Sequence, residues 1–295
     1  MLPTNGLQIE HTIVPGANGV KLHAAITGPR DRPVMLFLHG FPECWYAWHR
    51  QLLEFGRDYR AVALDLRGYN LSDKPRGKGQ YVVQNIVDDI RAVIRAIAPS
   101  RPVTIVGHDW GGIATWSFLR ESPELADRAI IINAPHLTLF RRELKHSAAQ
   151  LFSSSYAGFF QLRGIAEFAL RSFRFGALRA MLYKTSAKPE AFTPDLRAIY
   201  MDTWRQPYAL TAGLNYYRNP IALDKEAKVA AAKRIEVPTL LLWGERDPAL
   251  RLSNLAGLEK YVNHLTVKRH PTATHWIVHE ETEWVNGAIR RFLQS

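Results

Sequence analysis

The sequence predicts an α/β protein: a mostly parallel central sheet flanked by helices and interrupted by one inserted helical lid. Three observations carry this. Short apolar runs such as VMLFL and AVAL alternate with helical patterns through the first half of the chain. The rhythm stops after residue 136 and resumes near residue 235. Between those points lie helical patterns and aromatic clusters, with no convincing buried strand. Continuous apolar runs mark strands buried on both faces, as in parallel sheets covered by helices.

The elements follow in order. Residues 9–14 and 21–27 read as an opening hairpin. Val34–Leu38 and Ala61–Leu64 are compact buried strands, the second ending at Asp65. Residues 82–98 place Ile86, Ile90, Val93, Ile94 and Ile97 on one helical face. Val103–Val106 is a strand, 111–121 a helix and Ala129–Ile132 a further strand. Strands return at Pro238–Trp243 and Leu265–Lys268. A last helix gathers Val285, Ala288, Ile289 and Phe292 on one side. The expected division is a core of residues 1–136 and 235–295, with 137–234 as a helical lid over the carboxyl ends of the strands. That is where a pocket is expected in such a sheet.

At 295 residues, with 47% hydrophobic and 22% charged side chains, the composition is that of a globular protein. A disordered chain is excluded. No run approaches the roughly 18–20 uncharged apolar residues of a membrane span. The first residues lack a basic start followed by an apolar run, so no secretory signal is expected. The lone Cys44 leaves no internal disulfide and no cysteine-based zinc site, and it fits a reducing, cytoplasmic setting. The net charge is +11, and residues 137–234 hold 16 lysines and arginines against 7 acidic residues. The basic residues are scattered and no nucleic-acid-binding signature accompanies them, so they read as solvated helical faces. The sequence is silent on oligomeric state.

The chemistry is concentrated at strand ends. Strand 103–106 runs into Gly107-His108-Asp109-Trp110-Gly111-Gly112 and then a helix. This is a nucleophile elbow, whose tight strand–turn–helix lifts the central side chain off the sheet. Here that side chain is a carboxylate. His39-Gly40-Phe41-Pro42 follows strand 34–38, and the Phe41 N–H, with that of Trp110, would form an oxyanion hole. Asp247 follows a late strand in Trp243-Gly244-Glu245-Arg246-Asp247, and His275 follows the last one. The chain order Asp109, Asp247, His275 is the nucleophile–acid–histidine order of hydrolases with such an elbow. Glu245 competes for the acid role. The other position for an acid, after strand 129–132, holds Asn133, which cannot carry the charge.

An aspartate nucleophile narrows the substrate. Its attack on an ester or amide would give a mixed anhydride, an uphill intermediate. Its attack on a saturated carbon with a leaving group gives an alkyl ester, which water activated by His275 can hydrolyse. Epoxides and alkyl halides fit. A departing halide wants N–H donors, whereas an epoxide oxygen leaves as an alkoxide and needs an acid, typically a phenol. Residues 137–234 hold six tyrosines: 156, 183, 200, 208, 216 and 217. Spacing alone does not choose among them.

Over nearly its whole length the chain resembles the α/β-hydrolase-fold epoxide hydrolases of the soluble type. His39-Gly40-Phe41-Pro42-Glu43 with Trp45, Tyr46 and Trp48 is similar to the family's first motif. Asp65-Leu66-Arg67-Gly68-Tyr69 with Ser72-Asp73-Lys74-Pro75 is similar to its second, except that Asn70 stands where glycine is common. The resemblance implies the α/β-hydrolase fold and a cofactor-free conversion of small-molecule epoxides into vicinal diols. It also selects tyrosines. Leu214-Asn215-Tyr216-Tyr217-Arg218-Asn219 is similar to the late lid motif and points to Tyr217 as an acid. Ser155-Tyr156-Ala157-Gly158-Phe159-Phe160-Gln161 is similar to the early one and points to Tyr156. Trp45, Phe159, Phe160, Trp110 and Trp276 are the expected pocket walls. Haloalkane and haloacid dehalogenases, which share the fold and nucleophile, are the alternative. They usually carry a polar side chain at the place of Phe41, or, in the fluoroacetate type, an arginine at that of Trp110. A hydrolase-fold binding module would have lost one of the reactive residues, and none is lost.

Overall fold

The computed structural model describes residues 7–294. One eight-stranded sheet runs through it: β1 Glu10–Pro15, β2 Lys21–Thr27, β3 Val34–Leu38, β4 Arg60–Leu64, β5 Val103–His108, β6 Ala126–Ile132, β7 Thr239–Gly244 and β8 Leu265–His270. The spatial order is β1-β2-β4-β3-β5-β6-β7-β8. β1 and β2 form the expected antiparallel hairpin, and β2 also pairs antiparallel with β4. From β4 to β8 every pairing is parallel. All five residues of β3 and all six of β5 and β7 are buried, which is why these strands read as unbroken apolar runs.

The helices are α1 His49–Phe55, α2 Val83–Ile97, α3 Trp110–Glu121, α4 Leu137–His146, α5 Ala148–Ser153, α6 Ser155–Phe159, α7 Ile165–Tyr183, α8 Pro194–Arg205, α9 Ala209–Asn215, α10 Pro220–Ala230, α11 Ile277–Glu280 and α12 Thr282–Leu293. The apolar stripe of α2 is buried at Ile86, Ile90, Val93 and Ile94. Helix α1 carries no readable stripe: it buries His49 and Gln51 beside Leu52 and Phe55. The stretch between β6 and β7 is helical, α4 to α10, with no strand among its described residues.

Sheet register sets where the chemistry can sit. Leu38 lies beside Gly107, His108 beside Ile132, and Ile132 beside Leu242. The carboxyl ends of β3, β5, β6 and β7 are therefore level, and the loops leaving them converge. The second motif braces this region. Arg67, fully buried, grips Asp89 through two contacts of 2.5 and 2.6 Å. Buried Asp65 accepts from the Trp45 N–H and Asn70 Nδ2 and bonds the His23 ring. Asn70 adopts φ 38°, the left-handed backbone that asparagine tolerates better than most residues.

Candidate active site

Asp109 is the turning point between β5 and α3, with φ 49° and ψ −119°. A non-glycine residue at positive φ is strained, and the turn persists because its neighbours leave the chain no other path. Two glycines make it possible. A Cβ on Gly40 would lie 2.3 Å from Asp109 Oδ2, and one on Gly111 would lie 2.3 Å from the Leu38 carbonyl. Only glycine lets β3, Asp109 and α3 approach this closely.

The Phe41 N–H donates to Asp109 Oδ2 over 2.8 Å. Helix α3 begins at Trp110, so its positive end lies beside the same carboxylate, with the Gly111 N–H of its first turn taken by the His39 carbonyl at 3.0 Å. The other oxygen, Oδ1, is 3.8 Å from His275 Nε2. That is too long for a hydrogen bond. Across the ring, His275 Nδ1 is 2.7 Å from Asp247 Oδ2. Burial works to lower the His275 pKa, but the Asp247 carboxylate outweighs it and, with Asp109 adding, lifts it to about 9.

Asp247 is buried, and its carboxyl oxygens are fully engaged. Oδ1 accepts from the N–H groups of Ala249 and Leu250, and Oδ2 accepts from Asn133 Nδ2 at 2.7 Å. Burial alone would raise its pKa. The His275 charge and these donors hold it below the usual carboxylate range. Glu245, the competitor, instead pairs with Arg269 at 3.1 Å on the sheet edge. Asn133, dismissed in the sequence as uncharged, proves to be a positioning residue. At φ 40° it joins β6 to β7, donating to Asp247 while its Oδ1 accepts from the Gly244 N–H at 2.9 Å.

The structure also separates the six tyrosines. The Tyr200 hydroxyl donates to Glu43, that of Tyr216 to the Arg67 carbonyl, and Tyr208 lies under the Arg76 guanidinium. Tyr183 lies under that of Arg197. Tyr217 instead stands edge-on to Phe41, Trp110 and Phe160, with ring centroids 5.1–5.5 Å away. The Tyr156 ring is 5.8 Å from that of Tyr217 and 5.4 Å from Phe160. Burial raises both phenol pKa values, and the nearby Asp109 charge raises them further. Both phenols are therefore protonated at neutral pH.

Of the expected pocket walls, Phe160 and Trp110 are buried in this cluster, and the Trp276 ring stands edge-on to His275 at 4.9 Å. Two are not part of it. Trp45 turns its ring to His11 and His23, and its backbone N–H donates to Asp65. Phe159 is 37% exposed and meets the cluster only through Phe160. A neighbouring network was not foreseen. Glu43, fully buried, meets His108, His279 and the Tyr200 hydroxyl at 3.2, 2.6 and 2.7 Å. His108 reaches on to the His275 carbonyl at 2.9 Å. Burial pushes the Glu43 pKa up, and the two imidazoles more than reverse that. The one sequence signal was a glutamate in an otherwise apolar turn.

A family model described as the alpha/beta hydrolase fold matches residues 33–282. Epoxide hydrolase 4 of Mus musculus is 36% identical over 94% of this chain and 77% of its own length. The AB hydrolase superfamily protein YfhM of Bacillus subtilis is also 36% identical, over 94% of this chain and 96% of its own. Among solved structures, an epoxide hydrolase of Bacillus megaterium in complex with an inhibitor superimposes with a TM-score of 0.87. It is 34% identical and covers 97% of this chain and 100% of its own. With Asp109, Asp247 and His275 brought together at the carboxyl ends of the sheet, the chain belongs to the epoxide hydrolases of the α/β-hydrolase fold.

Proposed function

We propose that this epoxide hydrolase makes vicinal diols through an ester on Asp109, with residues 137–234 as its lid and no cofactor. Asp109 Oδ1 attacks an epoxide carbon, the C–O bond to the ring oxygen breaks, and Tyr156 and Tyr217 supply the proton to that oxygen. Oδ2, already held by the Phe41 N–H, becomes the ester carbonyl. Water then occupies the gap between His275 Nε2 and the ester carbon. His275 takes its proton, and the tetrahedral oxyanion rests on the Phe41 and Trp110 N–H groups. On its collapse the bond from the carboxyl carbon to Oδ1 breaks, His275 returns the proton to Oδ1 and the diol leaves with that oxygen. The buried Cys44 is consistent with a cytoplasmic enzyme.

The observation that carries this reading is the shared dependence on one charge. The Asp109 carboxylate raises the pKa of both tyrosines and of His275. Ester formation removes it. The same event therefore eases proton release from the phenols and lowers the pKa of His275, although Asp247 remains its main raising charge. The test uses His275→Gln with styrene oxide. An adduct on Asp109 should accumulate, visible by intact mass. In a single turnover of wild type in heavy-oxygen water, the label should enter Asp109. Label passing straight to the diol would mean that water attacks the epoxide directly.

A further inference from the structure

The positive charge of residues 137–234 takes no part in the chemistry at Asp109, yet the structure gives it an arrangement. Between residues 151 and 173, Leu151, Phe152, Leu162, Ile165, Phe168 and Phe173 stand exposed, Phe152 at 81% and Phe173 at 92%. Every exposed phenylalanine among the described residues lies in this stretch. Other exposed large apolar side chains, such as Ile13, Leu71 and Ile221, are scattered. Scattered ones are ordinary, whereas a concentration of them marks a surface that meets something.

Helix α7 is apolar on two sides. Ala166, Leu170, Leu178 and Leu182 are buried. Ile165 and Phe168, three residues apart, face outward with Leu162 one turn before them, where the Ala166 N–H donates to the Leu162 carbonyl. The helix then breaks. Phe173, Arg174 and Phe175 have φ of 52°, 55° and 58°. Three successive left-handed residues without a glycine are costly. The break buries Phe175 and turns Phe173 to solvent, 92% exposed. Arg163, Arg171 and Arg174 stand exposed among these side chains. The single acidic residue of the stretch, Glu167, is taken by Arg218 at 2.7 Å and by the Gly164 N–H.

We propose that the outer side of residues 162–174 docks on an anionic lipid membrane, its exposed apolar side chains entering the interface and its guanidiniums meeting the headgroups. Aromatic residues interleaved with arginine are what such an interface selects. A second copy of the chain is the less fitting occupant. A two-fold dimer would set the arginines of this face against themselves. The proposal does not depend on the roles assigned to Asp109 or the tyrosines.

The test is co-sedimentation of the full chain with vesicles of phosphatidylcholine alone and of phosphatidylcholine mixed with phosphatidylserine, at low and high salt. Wild type should bind the anionic vesicles, at least about 10-fold more weakly the neutral ones, and lose binding with salt. The double variants Phe168→Ser/Phe173→Ser and Arg171→Gln/Arg174→Gln should each lower anionic binding about 10-fold or more while leaving styrene oxide turnover in solution unchanged. The arginine pair changes no apolar contact, so its result stands even if the phenylalanine variant folds poorly. Absence of binding to anionic vesicles, or equal binding by the arginine variant, would overturn the proposal. So would a wild-type dimer that the phenylalanine variant dissociates, which would assign the face to self-association.

Discussion

The sheet and the helices above it place their reactive groups by different means. In the sheet, position follows from register. Leu38, Gly107, Ile132 and Leu242 end level, and Phe41, Asp109, Asn133 and Asp247 stand within a few residues of those ends. In the lid, position follows from side-chain clasps between distant segments. Tyr156 lies on α6 and Tyr217 just after α9. The two are tied by Arg218, which donates to the Phe160 carbonyl at 2.8 Å, and by Gln161, which donates to the Tyr217 carbonyl at 2.8 Å. In the proposed mechanism the sheet supplies the attacking carboxylate and the imidazole base, and the lid supplies the phenols that protonate the opening epoxide oxygen. The comparison teaches that the two steps of such a reaction fall to two regions of the molecule, so that each can be tested alone.

The largest expected effect comes from the lid. Tyr156→Phe and Tyr217→Phe should each slow alkylation of Asp109 by about 10–1000-fold, and the double variant should nearly abolish it. Ester hydrolysis, run by His275, should persist. The stall then precedes the covalent intermediate, the reverse of the His275→Gln stall. Pre-steady-state alkylation by styrene oxide measures this, with halide release from a bromoalkane in parallel. A double variant that alkylates normally would remove the tyrosines from the mechanism. A halide needs no proton, so bromoalkane release that outpaces diol formation in wild type would reopen the dehalogenase alternative.

A smaller effect lies in pH. His275 must be neutral to act as base, and its resting pKa of about 9 makes it a cation at pH 7. If that value governed hydrolysis, only about 1% would be competent at pH 7, a loss of about 100-fold. The Asp109 carboxylate is one of the charges that raise it, and the ester has lost that charge. Hydrolysis of preformed ester should therefore increase with pH through a midpoint clearly below 9. Rapid-quench single turnovers across pH 6–10 give that midpoint. A midpoint at or above 9 would separate the base from the nucleophile's charge.

The two regions also differed in how far their sequence could be read. Asp109 and Asp247 were read from the ends of apolar strands, and His275 from its place between the last strand and the final helix and from the chain order of the three. Tyr156 and Tyr217 have no such marker. Six tyrosines share one amphipathic background, and only a family resemblance separated them before the clasps were visible. Helix α1 was missed because its buried face includes His49 and Gln51. Trp45 and Phe159 were expected as pocket walls, and the structure sets the Trp45 ring against His11 and His23 and leaves Phe159 37% exposed at the end of α6. The basic lid read as a solvated surface because periodicity does not show that Phe168 and Phe173 share it.

The smallest expected effect falls on Asn133, and it sharpens the comparison most, because it tests whether register alone holds the acid in place. Asn133 is fully buried and bridges the ends of β6 and β7, giving a hydrogen bond to Asp247 and taking one from the Gly244 N–H. Asn133→Ala removes both. Asp247 keeps three partners: His275 and the N–H groups of Ala249 and Leu250. It should stay ionised and nearly in place. The Gly244 N–H loses its acceptor inside the protein, which costs about 1–3 kcal/mol and should lower Tm by about 2–6 °C. Alkylation, which uses the lid phenols and Oδ1 of Asp109, should be unchanged. Ester hydrolysis should slow by no more than about 10-fold, since the base is loosened and not removed. Thermal melts and separate single-turnover measurements of the two steps decide it. A slowed alkylation step in Asn133→Ala would show that the sheet and lid halves are coupled through this bridge. A hydrolysis loss as deep as that of His275→Gln would mean that the asparagine, and not the register of β7, is what presents Asp247 to the histidine.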